Sequence, residues 1–395
     1  MVLNVVFMRD VAIVGVGLTK FGERWEHGLR DLMAEAGVSA LADANISSKD
    51  VEIVYGSTMA SGRFVGQEHL AALLADQMGF KNIPAVRIEN ACASGGSALR
   101  QGYMAVASGM HDIVVVGGVE KMTDVTTAEA TTALGGAGDQ EWELSQGITF
   151  PGLYALIARR HMHEYGTTEE QMASVSVKNH ENAYRNRYAH FHKRIGIDDV
   201  LGSKVVAEPL KLLDCSPISD GAAVVILAPL ETAKKYNDTP IKIEASSQAS
   251  DTLGLAERES ITELRATKLA ASDAYRKSGM STNDIDVVEV HDCFSIAEIL
   301  AMEDLGFYKK GLAAKAILEG ETAINSRISV NTSGGLKGCG HPVGATGVKQ
   351  AVEIAMQLRG EAGERQVSGA EVGMTHNVGG SGATAVVHIF RRAGS

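Results

Sequence analysis

The sequence predicts an α/β protein made of one duplicated unit with a helical insertion, because three pairs of similar segments recur in the same order. VAIVGVG, from Val11 to Gly17, is a β-branched apolar run ending in glycine, as a strand buried on both faces requires, and IKIEASSQAS from Ile241 takes the same place in the second half. ISSKDVEIVYGS from Ile46 and MSTNDIDVVEVHD from Met280 each read as a helix end, a polar turn and a strand, offset by 234 residues (280 minus 46). DGAAVVILAP from Asp220 and SGATAVVHIF from Ser381 then lead each half through small residues into an apolar strand. One such match is common between any two βα segments. Three in one order point to duplication.

At 395 residues the chain exceeds one ordinary domain, which suits two core units sharing an interface. Between Glu120 and about Cys215 the strand rhythm lapses into helical stretches such as LYALIARRHMHEY and EEQMASVSVKNHENAYRNR. The expected organisation is a first half over residues 8–120 and 216–235, an insertion over 121–215 capping that first half, and a second half over 240–395.

A net charge of −11 leaves no broad basic surface for a nucleic acid. The four cysteines, Cys92, Cys215, Cys293 and Cys339, are widely spaced without a CxxC pair, so a reducing, cytoplasmic setting is expected rather than a disulfide framework or zinc ribbon. MVLNVVFMRD has neither a basic stretch nor a cleavage site, Met8 could itself be the start, and no later run is long enough to span a membrane. Neither export nor insertion is expected.

Glycine makes up 43 of the residues, and many cluster where chemistry is plausible. NACASGGSALRQGYMAVASG places Cys92 between a strand and a helix start, among small residues. Free N–H groups and the helix dipole there would favour a thiolate nucleophile, although a small core cysteine would read similarly. In GGLKGCGHPVGATGVKQAVEIAM, His341 is held by a proline among glycines and is a candidate base for a thiol, or a loop histidine satisfying backbone groups. HDCFS, from His291, follows the strand DVVEV and so sits at a strand's carboxyl end, where open α/β sheets assemble sites. THNVGGSGAT supplies a glycine turn whose N–H groups could hold an oxyanion, or simply a tight turn. His190 and His192 form an HxH, but no acidic or cysteine partner lies at ligand spacing, so no metal is expected.

ENACASGGSAL, HDCF, GGLKGCGHPVGATG and HNVGG together resemble the thiolase family, and within it the sterol-carrier-protein-type and archaeal branch, from Val11 to Phe390. The resemblance implies duplicated βαβαβαββ units packed as α-β-α-β-α layers with an inserted loop domain. It implies Cys92 as the nucleophile that forms an acyl-enzyme, and His341 as its base and an oxyanion-hole group. His291 stands where most of the family has the asparagine of NEAF, and is expected to polarise the second thioester carbonyl. Most thiolases carry an acid/base cysteine in a CxG motif near the C-terminus, but this chain has Asn377 there. The HDCF branch takes that thiol from its own motif, which assigns the acid/base to Cys293, with Cys339 as the rival. Gly379, with the Cys92 N–H, is the candidate for the remaining oxyanion hole.

The activity implied is acetyl-CoA C-acetyltransferase, joining two acetyl-CoA reversibly into acetoacetyl-CoA and CoA, as a supply for mevalonate. Coenzyme A thioesters are then substrates and no cofactor is tightly bound. The alternatives are a degradative 3-ketoacyl-CoA thiolase of longer chains and a non-catalytic acyl-CoA or lipid-binding protein. No separate lipid-carrier domain is expected after the final strand. Arg185, Arg187, Lys193 and Arg194, in the insertion, could receive the CoA phosphates, or form a solvated face or a partner surface. The family further implies a homodimer or homotetramer, and a complex with hydroxymethylglutaryl-CoA synthase and a small zinc-ribbon and OB-fold acyl-CoA-binding protein.

Overall fold

The computed structural model describes residues 8–394, so the expectations for residues 1–7 lie outside it. The strands are β1 (Val11–Leu18), β2 (Ile53–Ser57), β3 (Ala85–Ile88), β4 (Val114–Glu120), β5 (Val205–Ala207), β6 (Leu210–Lys211), β7 (Gly221–Pro229), β8 (Ile241–Ser250), β9 (Val287–Glu289), β10 (Ser329–Val330), β11 (Val372–Gly379) and β12 (Thr384–Arg392). The helices are α1 (Leu29–Asp43), α2 (Ser61–Val65), α3 (Leu70–Gln77), α4 (Ser94–Ala107), α5 (Thr127–Gly135), α6 (Phe150–Tyr165), α7 (Glu169–Tyr184), α8 (Ile197–Leu201), α9 (Leu230–Ala233), α10 (Arg265–Ser278), α11 (Ser295–Asp304), α12 (Ala313–Leu318), α13 (Gly335–Cys339) and α14 (Val343–Arg359).

Ten strands join in the order β10-β9-β11-β12-β8-β1-β7-β4-β2-β3. Read outward from the β8/β1 seam, the two halves are the same arrangement: β1, β7, β4, β2, β3 on one side match β8, β12, β11, β9, β10 on the other. Strand directions agree as well. β2 runs parallel to β3 and β4, while β7 is antiparallel to β4 and β1. Likewise β9 runs parallel to β10 and β11, and β12 is antiparallel to β11 and β8. The seam itself is short, pairing Ala12 with Lys242 and Ile13 with Ile241. The duplication read from the 234-residue offset is therefore a structural duplication.

Helices α4 and α14 pack on each other and reach both half-sheets, while α1 and α3 cover the outer face of the first half and α10 that of the second, giving the five expected layers. The middle layer explains the composition of α14, which is buried along nearly its whole length and so must satisfy its polar groups internally. Lys349 does so with Glu289 at 3.1 Å and Glu353 with Arg365 at 2.9 Å. The two central helices approach at glycine. A Cβ on Gly347 would lie 2.1 Å from the Gly96 nitrogen, a distance no side chain can occupy.

The segment between β4 and β7 adds no strand to the large sheet. Of this insertion, expected to cap the first half, α5 packs on α2 of that half, while α6 and α7 pack on α11, α12 and α13 of the second half. The cause is shared burial: Leu153, Tyr154, Ile157, Met172 and Val175 belong to one core with Phe294, Ile296 and Leu300. A segment emerging from the first half thus brings side chains to the second half's loops. Among the described residues no helix is long and apolar enough to cross a membrane.

Candidate active site

Loops at the ends of β3, β9 and β11 and the turn between α13 and α14 converge. Cys92 lies in the β3-to-α4 turn, two residues before α4 opens, and is half-buried. Its predecessor Ala91 has φ +51°, an unusual conformation for a residue with a Cβ. Local hydrogen bonds hold it: Ser94 Oγ accepts from the Asn90 N–H at 2.8 Å and donates to the Ala91 carbonyl at 2.6 Å. The strained turn carries Cys92 past the carboxyl end of β3.

The Cys92 sulfur and one ring nitrogen each of His291 and His341 all lie within 4.8 Å of one another. The two imidazoles meet edge to face, with centroids 5.1 Å apart at 82°. His341 Nδ1 is 2.7 Å from Thr346 Oγ1, whose hydroxyl donates to the Pro342 carbonyl at 3.0 Å. That hydroxyl must therefore accept from Nδ1–H, which leaves Nε2 of His341 with a lone pair for a thiol proton. His291 is the opposite case. Its Nδ1 lies 3.2 Å from the Asn377 Nδ2, and its buried Nε2 meets no hydrogen-bonding group among the described residues.

The motif's second thiol is present too. Cys293 is 8% exposed, borders the Tyr154 hydroxyl and is close enough to Cys92 for the two sulfurs to raise its pKa. Burial is the larger cause of that rise, with Tyr154 pulling against it. Cys339 lies elsewhere: fully buried, its sulfur takes the Asn186 amide at 3.8 Å beside the Glu289–Lys349–Glu353 network.

Electrostatics correct one expectation. Burial pushes the Cys92 thiol up to about 12, with Glu120 and Glu89 adding to it and the Gly380 and Cys92 N–H groups opposing. Burial, with Lys349 nearby, depresses His341 to about 3. The resting pair is thus neutral thiol and neutral imidazole rather than the thiolate that the helix start suggested, because desolvation outweighs a partial helix charge. The Gly380 N–H meets the Cys92 sulfur, and Gly379, the last residue of β11, pairs with Thr384. Gly380, at φ +63°, turns out of the ladder, and Tyr154 donates to its carbonyl at 3.2 Å.

Buried carboxylates hold the loops. Glu120 accepts from Thr58 Oγ1 and the N–H groups of Met59, Ala60 and Gly344, tying the GHPVG turn to β2 and β4. Asp292, raised to about 6 by burial and Glu298, accepts from the Leu336 N–H at 2.6 Å and Asn179 Nδ2 at 2.7 Å, fixing HDCF against α13 and α7.

The basic residues of the insertion are not among the groups around Cys92. Arg185 and Arg194 both pair with Glu181, at 2.8 and 2.7 Å, and line a groove of about 500 Å³ with Lys178, Ile197 and Ile317. Arg187 lies over the Tyr188 ring, 4.7 Å from its centroid, and the Lys193 carbonyl accepts from His180 at 3.1 Å. None of Cys92, His291, Cys293 and His341 lines that groove. Motif reading missed Thr346, Gly380 and Tyr154, and gave Asn377 no role beyond standing in the place of a cysteine. Thr346 lies within GHPVGATG, five residues past His341, and was the one open to inference; Tyr154 sits in an apolar helix with nothing to mark it.

A strand-end cysteine with an imidazole base, a second imidazole donor and a second thiol in one cleft defines a thiol-dependent acyl-transfer enzyme on a duplicated α/β fold. The thiolase N-terminal domain model matches residues 11–231 and the thiolase C-terminal domain-like model residues 247–392, and the chain belongs to the thiolase family. It is 57% identical over 98% of its length to an acetyl-CoA acetyltransferase of Methanothermobacter thermautotrophicus, covering all of that protein. It is 52% identical over 97% of its length to an acetyl-CoA acetyltransferase of Methanocaldococcus jannaschii, covering 99% of it. Among solved structures, the Ltp2-ChsH2(DUF35) aldolase superposes with a TM-score of 0.85 at 26% identity, over 99% of this chain and all of that one.

Proposed function

We propose that the protein is an acetyl-CoA C-acetyltransferase that condenses two acetyl-CoA into acetoacetyl-CoA and CoA. The observation that carries the reading is the juxtaposition of two thiols, Cys92 and Cys293, with the two imidazoles of His291 and His341. The relatives named acetyl-CoA acetyltransferase support the acetyl group as substrate.

In the first half-reaction the Cys92 proton passes to His341 Nε2 as the sulfur attacks the acetyl-CoA carbonyl. The oxyanion faces the N–H of Cys92 and, by the resemblance, that of Gly379. As the C–S bond to CoA breaks, Cys293 gives its proton to the leaving sulfur, leaving acetyl-Cys92, a Cys293 thiolate and an imidazolium at His341. In the second half-reaction that thiolate removes a Cα proton from another acetyl-CoA. The enolate oxygen faces His291 Nε2–H and protonated His341, and the carbanion attacks acetyl-Cys92. Collapse expels Cys92 sulfur, which recovers its proton from His341, so both thiols return to their starting state. Two neutral thiols at rest suit this cycle, since each ionises only when its proton has a destination.

Thiolysis of acetoacetyl-CoA runs the same steps backward. By resemblance, the product would feed mevalonate synthesis in the cytoplasm. CoA would meet the insertion, with Arg185, Arg187, Lys193 and Arg194 as candidate phosphate contacts. The chain would work as a homodimer or homotetramer. The solved Ltp2-ChsH2(DUF35) aldolase supports a DUF35-type partner, which fits the small acyl-CoA-binding partner expected beside hydroxymethylglutaryl-CoA synthase.

The test is acetoacetyl-CoA formation and CoA-dependent cleavage by wild type beside Cys92→Ala, Cys293→Ala and Cys339→Ala. Loss in the first two with activity kept in the third is expected. Wild type that turns over neither substrate would direct attention to longer acyl chains, an obligatory partner or a binding role.

A further inference from the structure

We propose that Asn377 is a positioning residue that fixes His291 as the Nε2–H tautomer, and that this lock keeps the Cys92–His291–His341 cluster from closing on a soft divalent cation such as zinc. The catalytic half of the inference rests on the acyl-transfer reading; the tautomer and the cation do not.

The orientation of the Asn377 amide is settled by its neighbours. The Gly96 N–H donates to Oδ1 at 3.0 Å, so the opposite atom is the NH₂ group. Its two hydrogens have two acceptors, the Cys92 carbonyl at 3.0 Å and His291 Nδ1 at 3.2 Å. Nδ1 of His291 must then present its lone pair. A ring that accepts at Nδ1 is not doubly protonated, so it is neutral. Its single proton therefore sits on Nε2, the buried nitrogen with no hydrogen-bonding neighbour among the described residues. The flipped amide would set its NH₂ group against the Gly96 N–H, donor against donor, which excludes that orientation.

Two consequences follow. A buried donor with no partner is ready to meet an oxygen that gains charge during the reaction, with no rearrangement at that moment. The same donor spoils a metal site. The Cys92 sulfur and two imidazoles within 4.8 Å would become a zinc donor set once the thiol gave up its proton, their spacing wider than tetrahedral coordination by only about 1 Å. A histidine that binds zinc, however, needs a lone pair facing the ion, and commonly donates its other N–H to a carboxylate or carbonyl. Asn377 imposes the reverse polarity by presenting a donor to Nδ1. An enzyme that must keep a Cys-His-His cleft open to substrate is thereby shielded from poisoning by its own ligand geometry.

The experiment is long-range ¹H–¹⁵N correlation at pH 7 on ¹⁵N-histidine-labelled protein, with His291 assigned by the signals lost in His291→Asn. Wild type is expected to show His291 protonated on Nε2. In Asn377→Asp, whose carboxylate can accept from Nδ1–H, the ring is expected to switch to the Nδ1–H tautomer. Titration with Co²⁺ then reads the second claim. Asn377→Asp is expected to bind at least about ten-fold more tightly than wild type, with a thiolate-to-cobalt charge-transfer band that vanishes when Cys92→Ser is added. Wild type protonated on Nδ1 overturns the proposal without needing any variant to fold. So does an Asn377→Asp protein that keeps the Nε2–H tautomer, or one whose cobalt affinity equals that of wild type. Neither readout depends on turnover, so failure here is distinct from failure of the acetyl-transfer reading.

Discussion

His341 Nδ1 lies 2.7 Å from Thr346 Oγ1, and because that hydroxyl donates to the Pro342 carbonyl, the contact selects the tautomer whose Nε2 can take a proton. The turn that carries the base also carries its orienting group, one helical turn and a half further on.

Thr346→Val keeps the side chain's shape but removes the acceptor, leaving a buried N–H without a partner and the ring free to adopt the other tautomer. Acylation of Cys92 by acetyl-CoA is expected to slow by about 10- to 100-fold, with Thr346→Ser restoring most of the rate. The burst of CoA released in a single turnover measures it. A Thr346→Val burst equal to that of wild type would show that the tautomer is set some other way.

The neutral state of Cys92 gives a second expectation. A cysteine in an ion pair with histidine is already a thiolate across the neutral range and alkylates at a rate that barely depends on pH. Here burial lifts the thiol to about 12 and lowers His341 to about 3, so the free protein should hold no thiolate. Iodoacetamide labelling of Cys92, followed by peptide mass spectrometry, should rise about ten-fold per pH unit from 6 to 9. A plateau over that interval would establish the ion pair instead.

The motifs made much of this cleft legible, and physics explains where legibility stopped. Cys92, His291, Cys293 and His341 stand out in the sequence because each is flanked by small or turn-forming residues at a strand end, and the structure brings all four together. The duplication was visible because buried strands are apolar runs that repeat. The destination of α6 and α7 was not, since an apolar helix face does not name the surface it covers. Asn377 resembled a missing cysteine, and its bonds to Gly96 and His291 span 281 and 86 residues. The ionisation of Cys92 depends on how dry the cleft is, a property of the packed protein rather than of any motif.

Gly347 allows a prediction about the shared middle layer. A Cβ at this position would meet the Gly96 backbone nitrogen at 2.1 Å and the side-chain Oδ1 of Asn377, itself bonded to the Gly96 N–H, at 2.3 Å. Gly347→Ala must therefore part α4 from α14, and a loss of roughly 3 kcal/mol or more is expected. Urea unfolding midpoints of the two proteins measure it. An unchanged midpoint would mean that the two helices can slide apart at little cost.

Acid should unfold the protein earlier than its carboxylates alone would require. Burial lowers His341 and His376 to about 3 and His388 to about 4, and holds His291 well below its usual value. These rings stay neutral in the folded state, while in the unfolded chain each takes up a proton below about 6.5. The unfolded state thus binds more protons, and stability that is complete above pH 6.5 is lost as pH falls toward 4. Asp292, raised to about 6, and Glu120, also raised, act in the opposite sense, gaining protons in the folded state as pH falls. His180 and His190 are lowered by burial too, and Asp304 is raised, so six histidines against three carboxyls leave a net loss, each group changing stability by up to about 1.4 kcal/mol per pH unit within its window. Urea midpoints at pH 7.5, 6 and 5 should fall steadily, and His388→Gln, which removes one of these rings away from the cleft, should flatten the decline. A midpoint that is constant from 7.5 to 5 would mean that these rings are already hydrated in the folded protein.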